Sequence, residues 1–292
     1  MTTVGRPAEL DEPYPLTDEQ MRKFERDGYV KLRGVLSAEV LDSYEPEITG
    51  QVIDLNTQHL PLAERDTYGR AFLQIENLWR HSPVVESFVR STRLARLAAE
   101  LLQVRGVRLY HDQALYKEAG GGITPWHVDQ YYWPLSSDRT VTVWIPLQDT
   151  PDEMGPLTFA AGSHRAADGR ELVISDESEQ ALAQFVTRAG YPVDDLPYAL
   201  GDVSFHTGWT VHRAGTNTTP IPRRVMTIIY MDADIEITEP DNQWRRADWR
   251  NWLSEAPVGG HPDGPLNPIL YAAPGRPGPT LGARPGPRPG VD

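Results

Sequence analysis

Between Val107 and Met231 the chain is written as short alternating runs cut by Gly, Pro and Asp, and no other feature restricts its fold as much. Val107–Lys117 alternates, with Val107, Leu109, His111, Gln113 and Leu115 predicted on one face. Thr140–Leu147 alternates in the same way, with Thr140, Thr142 and Trp144 together. Leu157–Ala160 follows a turn at Glu153–Pro156, and Ala199–His206 and Arg223–Met231 add two more strands. Side chains alternate across a strand, so each run offers one face to a core and one elsewhere. Several short strands with turns between them predict a sandwich or jelly roll. Residues 176–190 read as an inserted helix and 191–198 as a loop, placing a lid-like insertion over 166–198 at the mouth of the fold.

Helices precede the strands. Residues 1–16 read as a flexible arm. Thr17 is a predicted N-cap with Gln20 as its capping-box partner, over a helix 18–27 that buries Met21 and Phe24. A strand Tyr29–Leu32 follows, and then a helix capped by Ser37 with Val40, Leu41 and Tyr44 on one side. Asp66–Arg70 reads as a loop, and a long helix is expected around 83–103. The last 36 residues hold ten Pro and eight Gly. That composition buries too little surface to offset ordering entropy, so 272–292 is expected to be disordered, outside a single catalytic domain at 17–271.

Composition removes several function classes. Net charge is −13, which disfavours nucleic acid and anionic membrane surfaces. No cysteine is present, which excludes disulfides and thiolate chemistry and leaves His, Asp and Glu as metal ligands. No 18-residue apolar run or apolar signal core occurs, so a soluble cytoplasmic protein with a small-molecule partner is the expectation.

The chemistry concentrates in TPWHVDQYYW, Thr124 to Trp133. If this stretch is extended, His127 and Asp129 project from the same face and can reach one metal ion. A second histidine completes a facial triad suited to Fe(II), with open positions for cosubstrate and O2. GDVSFHTGWTVHRAGTNTTPIPRR offers His206 and His212 as that ligand, with His212 the better candidate. Arg223 follows His212 by eleven residues, where a hairpin would return it beside the site to pair a carboxylate bidentately. Tyr131, Tyr132, Trp133 and Trp209 are candidate substrate-binding walls.

These motifs, with FERDGYVKLRGVLS and TVTVWIPLQDTPDEMGPLTFAAGSHR, resemble the phytanoyl-CoA dioxygenase family of Fe(II)/2-oxoglutarate oxygenases, across roughly residues 17–271. The resemblance implies an all-β core with packed helices, a double-stranded β-helix of cupin-like jelly-roll type. It implies iron held by His127, Asp129 and His212, and 2-oxoglutarate held by Arg223, with Trp144, Gln113 and Thr142 beside it. Where family members often have serine two residues after the distal histidine, this chain has Ala214, so another hydroxyl is expected to substitute. The carboxylate of Asp129 implies hydroxylation or a related C–H oxidation rather than halogenation. The expected substrate is a small organic molecule, a natural-product biosynthetic intermediate. Two other readings stay open: a cupin-type metal enzyme that does not use 2-oxoglutarate, and a non-catalytic jelly-roll binding protein.

Overall fold

A computed structural model of the chain describes residues 5–274. In chain order the elements are α1 Asp18–Asp27, β1 Tyr29–Leu32, α2 Ala38–Leu55, α3 Thr67–Ala71, β2 Leu73–Glu76, α4 Pro83–Val89, α5 Thr92–Leu102, β3 Gly106–Tyr116 and β4 Thr124–His127. They continue with β5 Thr140–Pro146, β6 Leu157–Ala160, α6 Asp176–Ala189, β7 Val193–Asp194, β8 Val203–Thr207, β9 His212–Ala214, β10 Val225–Asp232, α7 Gln243–Asn251 and β11 Ile269–Ala272.

The strands form two antiparallel sheets, giving a mixed α/β fold. The larger runs β1-β8-β5-β10-β3-β11, with β2 also paired to β3, and the smaller runs β4-β9-β6-β7. Helices α2, α4 and α5 cover one face of the larger sheet. Their apolar stripes meet Val141, Val143, Ile145, Phe205 and Ile228 in the main core. Each fully buried aliphatic side chain contributes about 1.5–3 kcal/mol, so this layer supplies much of the fold's stability. The opposite face of the sheet looks toward the smaller sheet across a cavity.

Local chemistry sets the helix ends. The Thr17 hydroxyl accepts the Gln20 N–H at 3.2 Å, and Gln20 Oε1 accepts the Thr17 N–H at 2.8 Å. The helix then stops at Gly28, whose φ of 79° suits glycine. Phe24 is buried as expected, whereas Met21 is only half-buried. The long helix expected over 83–103 is two helices, because Ser91 is itself a cap. Its hydroxyl accepts the Leu94 N–H at 3.3 Å and donates to the Leu10 carbonyl at 3.0 Å. That second bond also anchors the N-terminal arm, where Leu10 is fully buried and Arg93 pairs with Glu9. The arm expected to be flexible is therefore docked over the residues described here. Asp66–Arg70 is likewise not a loop, since Asp66 caps α3 through the Gly69 N–H at 2.7 Å. At the other end, Ile269–Ala272 pairs with β3, and most of the Pro/Gly-rich tail, 275–292, lies outside the described residues.

Strand β3 departs from simple alternation. Ile229 pairs with His111 and Tyr230 with Leu109, so β3 carries an extra residue at Tyr110. Val107 and Leu109 consequently pack with the helices, while His111, Gln113 and Leu115 line the cavity. The five residues expected on one face are divided between two.

Gly155 shows how closely the backbone packs beside the β6–β9 pair of the smaller sheet. Its φ is +66°, and a Cβ there would lie 2.2 Å from the Gly215 carbonyl oxygen. Gly155→Ala is expected to destabilise the fold by roughly 2 kcal/mol or more, from backbone strain and the clash together. Urea unfolding checks this, and an unchanged midpoint would contradict it.

Candidate metal centre and cosubstrate pocket

The smaller sheet brings two imidazoles into contact, their planes tilted by 56°. Thr124 pairs with Ala214 and His127 with His212, so β4 holds one residue more than β9 between these pairs. Pro125, which lacks an N–H, sits in that bulge. The freed Trp126 N–H bonds Glu179 of α6 at 2.7 Å. The His127 and His212 ring centroids end 4.1 Å apart.

Asp129 arrives by a different route from the one expected. Its backbone is helical, φ −75° and ψ −38°, at the start of a short turn over Gln130–Tyr132. The carboxylate reaches the imidazoles through that turn rather than by strand alternation. Asp129 Oδ1 lies 3.6 Å from His127 Nε2 and 3.7 Å from His212 Nε2. Donor atoms of these three residues all lie within 4.8 Å of one another, spacing that suits one shared ion.

The surrounding bonds orient each donor. His127 Nδ1 bonds the Pro125 carbonyl at 2.7 Å and His212 Nδ1 bonds the Thr210 carbonyl at 2.9 Å. A carbonyl only accepts, so Nδ1 carries the proton and each Nε2 presents its lone pair to the centre. Burial pushes both imidazoles below the ordinary histidine range, favouring the neutral form a metal needs. Burial acts against the Asp129 carboxylate, but the imidazoles of His212, His206 and His127 outweigh it and hold the carboxyl below its ordinary value. His206 Nε2 and Thr142 Oγ1 each bond Asp129 Oδ2 at 3.3 Å, leaving Oδ1 to face the other two donors. Thr142, expected beside the cosubstrate carboxylate, lines the cavity and donates to Asp129.

A cavity of about 580 Å³ opens from this centre between the sheets. Arg223 lies at its wall, 1% exposed, with its guanidinium 5.4 Å from the Trp144 ring centroid. It donates one bond, to the Gly155 carbonyl, while its buried Nε has no partner. Burial pushes this guanidinium down to about 9, so it stays cationic at neutral pH. A buried cation with an unmet donor is a site for an anion. Gln113 lines the same cavity, its carbonyl accepting from Gln74 at 2.6 Å, which leaves its amide N–H groups free to donate. Thr124, cross-strand from Ala214, brings a hydroxyl to the wall where Ala214 has none.

The family model described as Phytanoyl-CoA dioxygenase (PhyH) matches residues 24–225, well over half of the chain. The chain belongs to the phytanoyl-CoA dioxygenase family. It is an Fe(II)/2-oxoglutarate-dependent dioxygenase, which sets aside the cupin-type and non-catalytic readings. Among its relatives in this family is a probable alpha-ketoglutarate-dependent hypophosphite dioxygenase of Stutzerimonas stutzeri, 25% identical over 74% of this chain and 79% of that protein. An ectoine dioxygenase of Streptomyces avermitilis is 24% identical over 79% and 83%. Among solved structures, the non-heme alpha ketoglutarate dependent carbocyclase SnoK from nogalamycin biosynthesis superposes with a TM-score of 0.74 and 26% identity, covering 89% of this chain and all of SnoK. The epimerase SnoN, solved with Fe3+, alpha ketoglutarate and nogalamycin RO, gives 0.72 and 26%, covering 87% of this chain and 98% of SnoN. No helix of this family member, among the described residues, is long and apolar enough to cross a membrane.

Of the expected substrate walls, Tyr132 and Trp133 line the cavity and Tyr131 and Trp209 do not. Gln130–Tyr132 is a three-residue helical turn, so successive side chains fan outward. Tyr131 goes to the apolar cluster under α6, and Trp209 stacks against Arg170 at 4.4 Å. The 166–198 insertion, also a candidate wall, contributes Val173 and Ile174, whereas Tyr68, Glu76 and Asp248, all in the cavity wall, had not been singled out from the sequence. The three tryptophans at 244, 249 and 252 were the available signal for the last part of that wall, since Trp244 and Trp252 line it.

Proposed function

We propose that His127, Asp129 and His212 hold the Fe(II), and that Arg223 binds the distal carboxylate of 2-oxoglutarate, with Gln113 and Trp144 beside it. On this reading the two sheets are the halves of a double-stranded β-helix, with 166–198 as an insertion at its mouth. One observation carries the assignment: three inward-facing donor groups and a buried, under-bonded arginine share a single cavity.

Fe(II) with 2-oxoglutarate supplies the oxidising power to attack a substrate C–H when both are bound with O2. The chain's own residues do the rest. His206 and Thr142 fix the Asp129 carboxylate so that one oxygen faces the ion. Arg223 and the aromatic face of Trp144 set the direction in which the cosubstrate enters. Tyr132, Trp133, Val173 and Ile174 exclude water from the cavity. As an iron ligand the Asp129 carboxylate would leave no place for a halide in its stead, which favours hydroxylation or another oxygen-driven outcome. The carbocyclase and epimerase among the structural relatives support including ring formation and epimerisation, and support a natural-product intermediate as substrate.

Anaerobic addition of Fe(II) and then 2-oxoglutarate is expected to produce the visible charge-transfer band of the chelate. Wild-type protein that gives no band refutes the assignment. Succinate release then screens candidate substrates.

A further inference from the structure

The substrate end of the cavity has an unbalanced charge. Arg223 is the only lysine or arginine among its lining residues, and it lies at the cosubstrate end. Asp66, Glu76 and Asp248 bring three carboxyls besides Asp129. Asp66 is engaged as the cap of α3. The other two have no basic partner among the described residues. Glu76 stands on β2 directly across from Gln113, and its one side-chain bond is from the Gln74 amide at 3.5 Å, the limit of such a contact. Asp248 stands on α7 and accepts from the Tyr110 hydroxyl at 2.8 Å. Burial pushes both carboxyls up to about 7, and the field of Glu76 adds to the rise at Asp248. Half-buried carboxyls that face a cavity and have no basic side chain beside them mark a place where a ligand supplies the cation.

The neighbouring groups select the kind of cation. His111 is 5% exposed and lines the same cavity. Its Nδ1 lies 3.3 Å from the Asp112 carbonyl, which only accepts, so Nε2 is the unprotonated nitrogen. No hydrogen bond to that Nε2 occurs among the described residues, and it is therefore a third free acceptor. Burial pushes this imidazole down to about 4, so it stays neutral and does not compete as a cation. Tyr68, Tyr132, Trp244 and Trp252 supply aromatic walls, with Trp252 5.4 Å from His111 and Trp244 6.1 Å from Tyr132 between ring centroids. Carboxylates and a neutral acceptor within aromatic walls are the donor set for an ammonium group, by charge-assisted hydrogen bonds and cation–π attraction.

Resting on the dioxygenase reading above, we propose that this lobe recognises a protonated amine on the substrate, held by Glu76, Asp248 and His111 against the Trp244 and Trp252 walls. Anionic substrates, including acyl-CoA thioesters, meet carboxyls there and no cation. On this proposal Glu76 and Asp248 determine substrate specificity rather than the oxidation itself.

The test uses the Fe(II)/2-oxoglutarate-loaded enzyme without oxygen, and three probes of one shape: phenethylamine, phenethyl alcohol and phenylacetate. Binding is read by calorimetry and by perturbation of the chelate band. The amine is expected to bind roughly tenfold or more tightly than the alcohol, with the carboxylate weakest. Glu76→Gln and, separately, Asp248→Asn are expected to remove the amine preference while the chelate band forms normally. Equal binding of amine and alcohol, no amine binding, or a preference that survives both substitutions overturns the proposal. A missing chelate band in the wild type instead refutes the dioxygenase site itself, so the two failures are distinguishable.

Discussion

Replacing His212 with alanine is expected to abolish turnover and to weaken Fe(II) binding by more than about 100-fold. Loss of an outer-shell partner alone typically costs 10–100-fold in metal affinity, and His212 is proposed to touch the ion itself. The substitution removes one of the three groups whose donor atoms lie within 4.8 Å of one another. It also leaves Asp129 Oδ1 with one imidazole at contact range instead of two. The fold is expected to survive, because the His212 side chain makes a single hydrogen bond, to the Thr210 carbonyl. Iron titration with circular dichroism as the folding control checks both parts. A variant that still forms the 2-oxoglutarate chelate would show that His212 is not a ligand.

Arg223→Ala is expected to raise the 2-oxoglutarate requirement by about two to three orders of magnitude while leaving Fe(II) binding in place. Removing one member of a buried charged pair costs about 2–5 kcal/mol. The cost falls on the cosubstrate because Arg223 is not among the metal-donor group, and its Nε awaits a partner. Arg223→Lys keeps the charge and loses the planar fork, so it is expected to recover only part of the affinity. Isothermal titration of Fe(II) and of 2-oxoglutarate separates the two effects. Loss of both together would assign Arg223 a structural role, through its bond to Gly155 and its contact with Trp144.

Much of this centre was legible in the sequence because its parts are local motifs on regular strands. His127, Asp129 and His212 could be named from spacing and neighbours, and Leu157–Ala160 and Tyr29–Leu32 from alternation and turns. What was not legible depends on tertiary placement. Thr67–Ala71 is too short to show a helical period, so the cavity residues beside it, Tyr68 and Glu76, carried no signal of their own. Ser91 resembles any serine inside an apolar repeat until its hydroxyl is seen serving two backbone groups. Tyr131 and Tyr132 are identical neighbours, and only the tightness of one turn decides which of them faces the substrate.

The extra residue in β3 works as a change of reading frame within one strand. Upstream of Tyr110, inward means toward the helices, as for Val107 and Leu109; from His111 onward the side chains at alternate positions line the cavity. A single uninterrupted strand is thereby translated twice, once as scaffold and once as recognition surface. Deleting Tyr110 would only make the alternation continuous, whereas flattening the strand with every residue kept would exchange the messages on its two sides. In that flattened strand Gln113 would be delivered to an oily interior and Ala114 to the cavity.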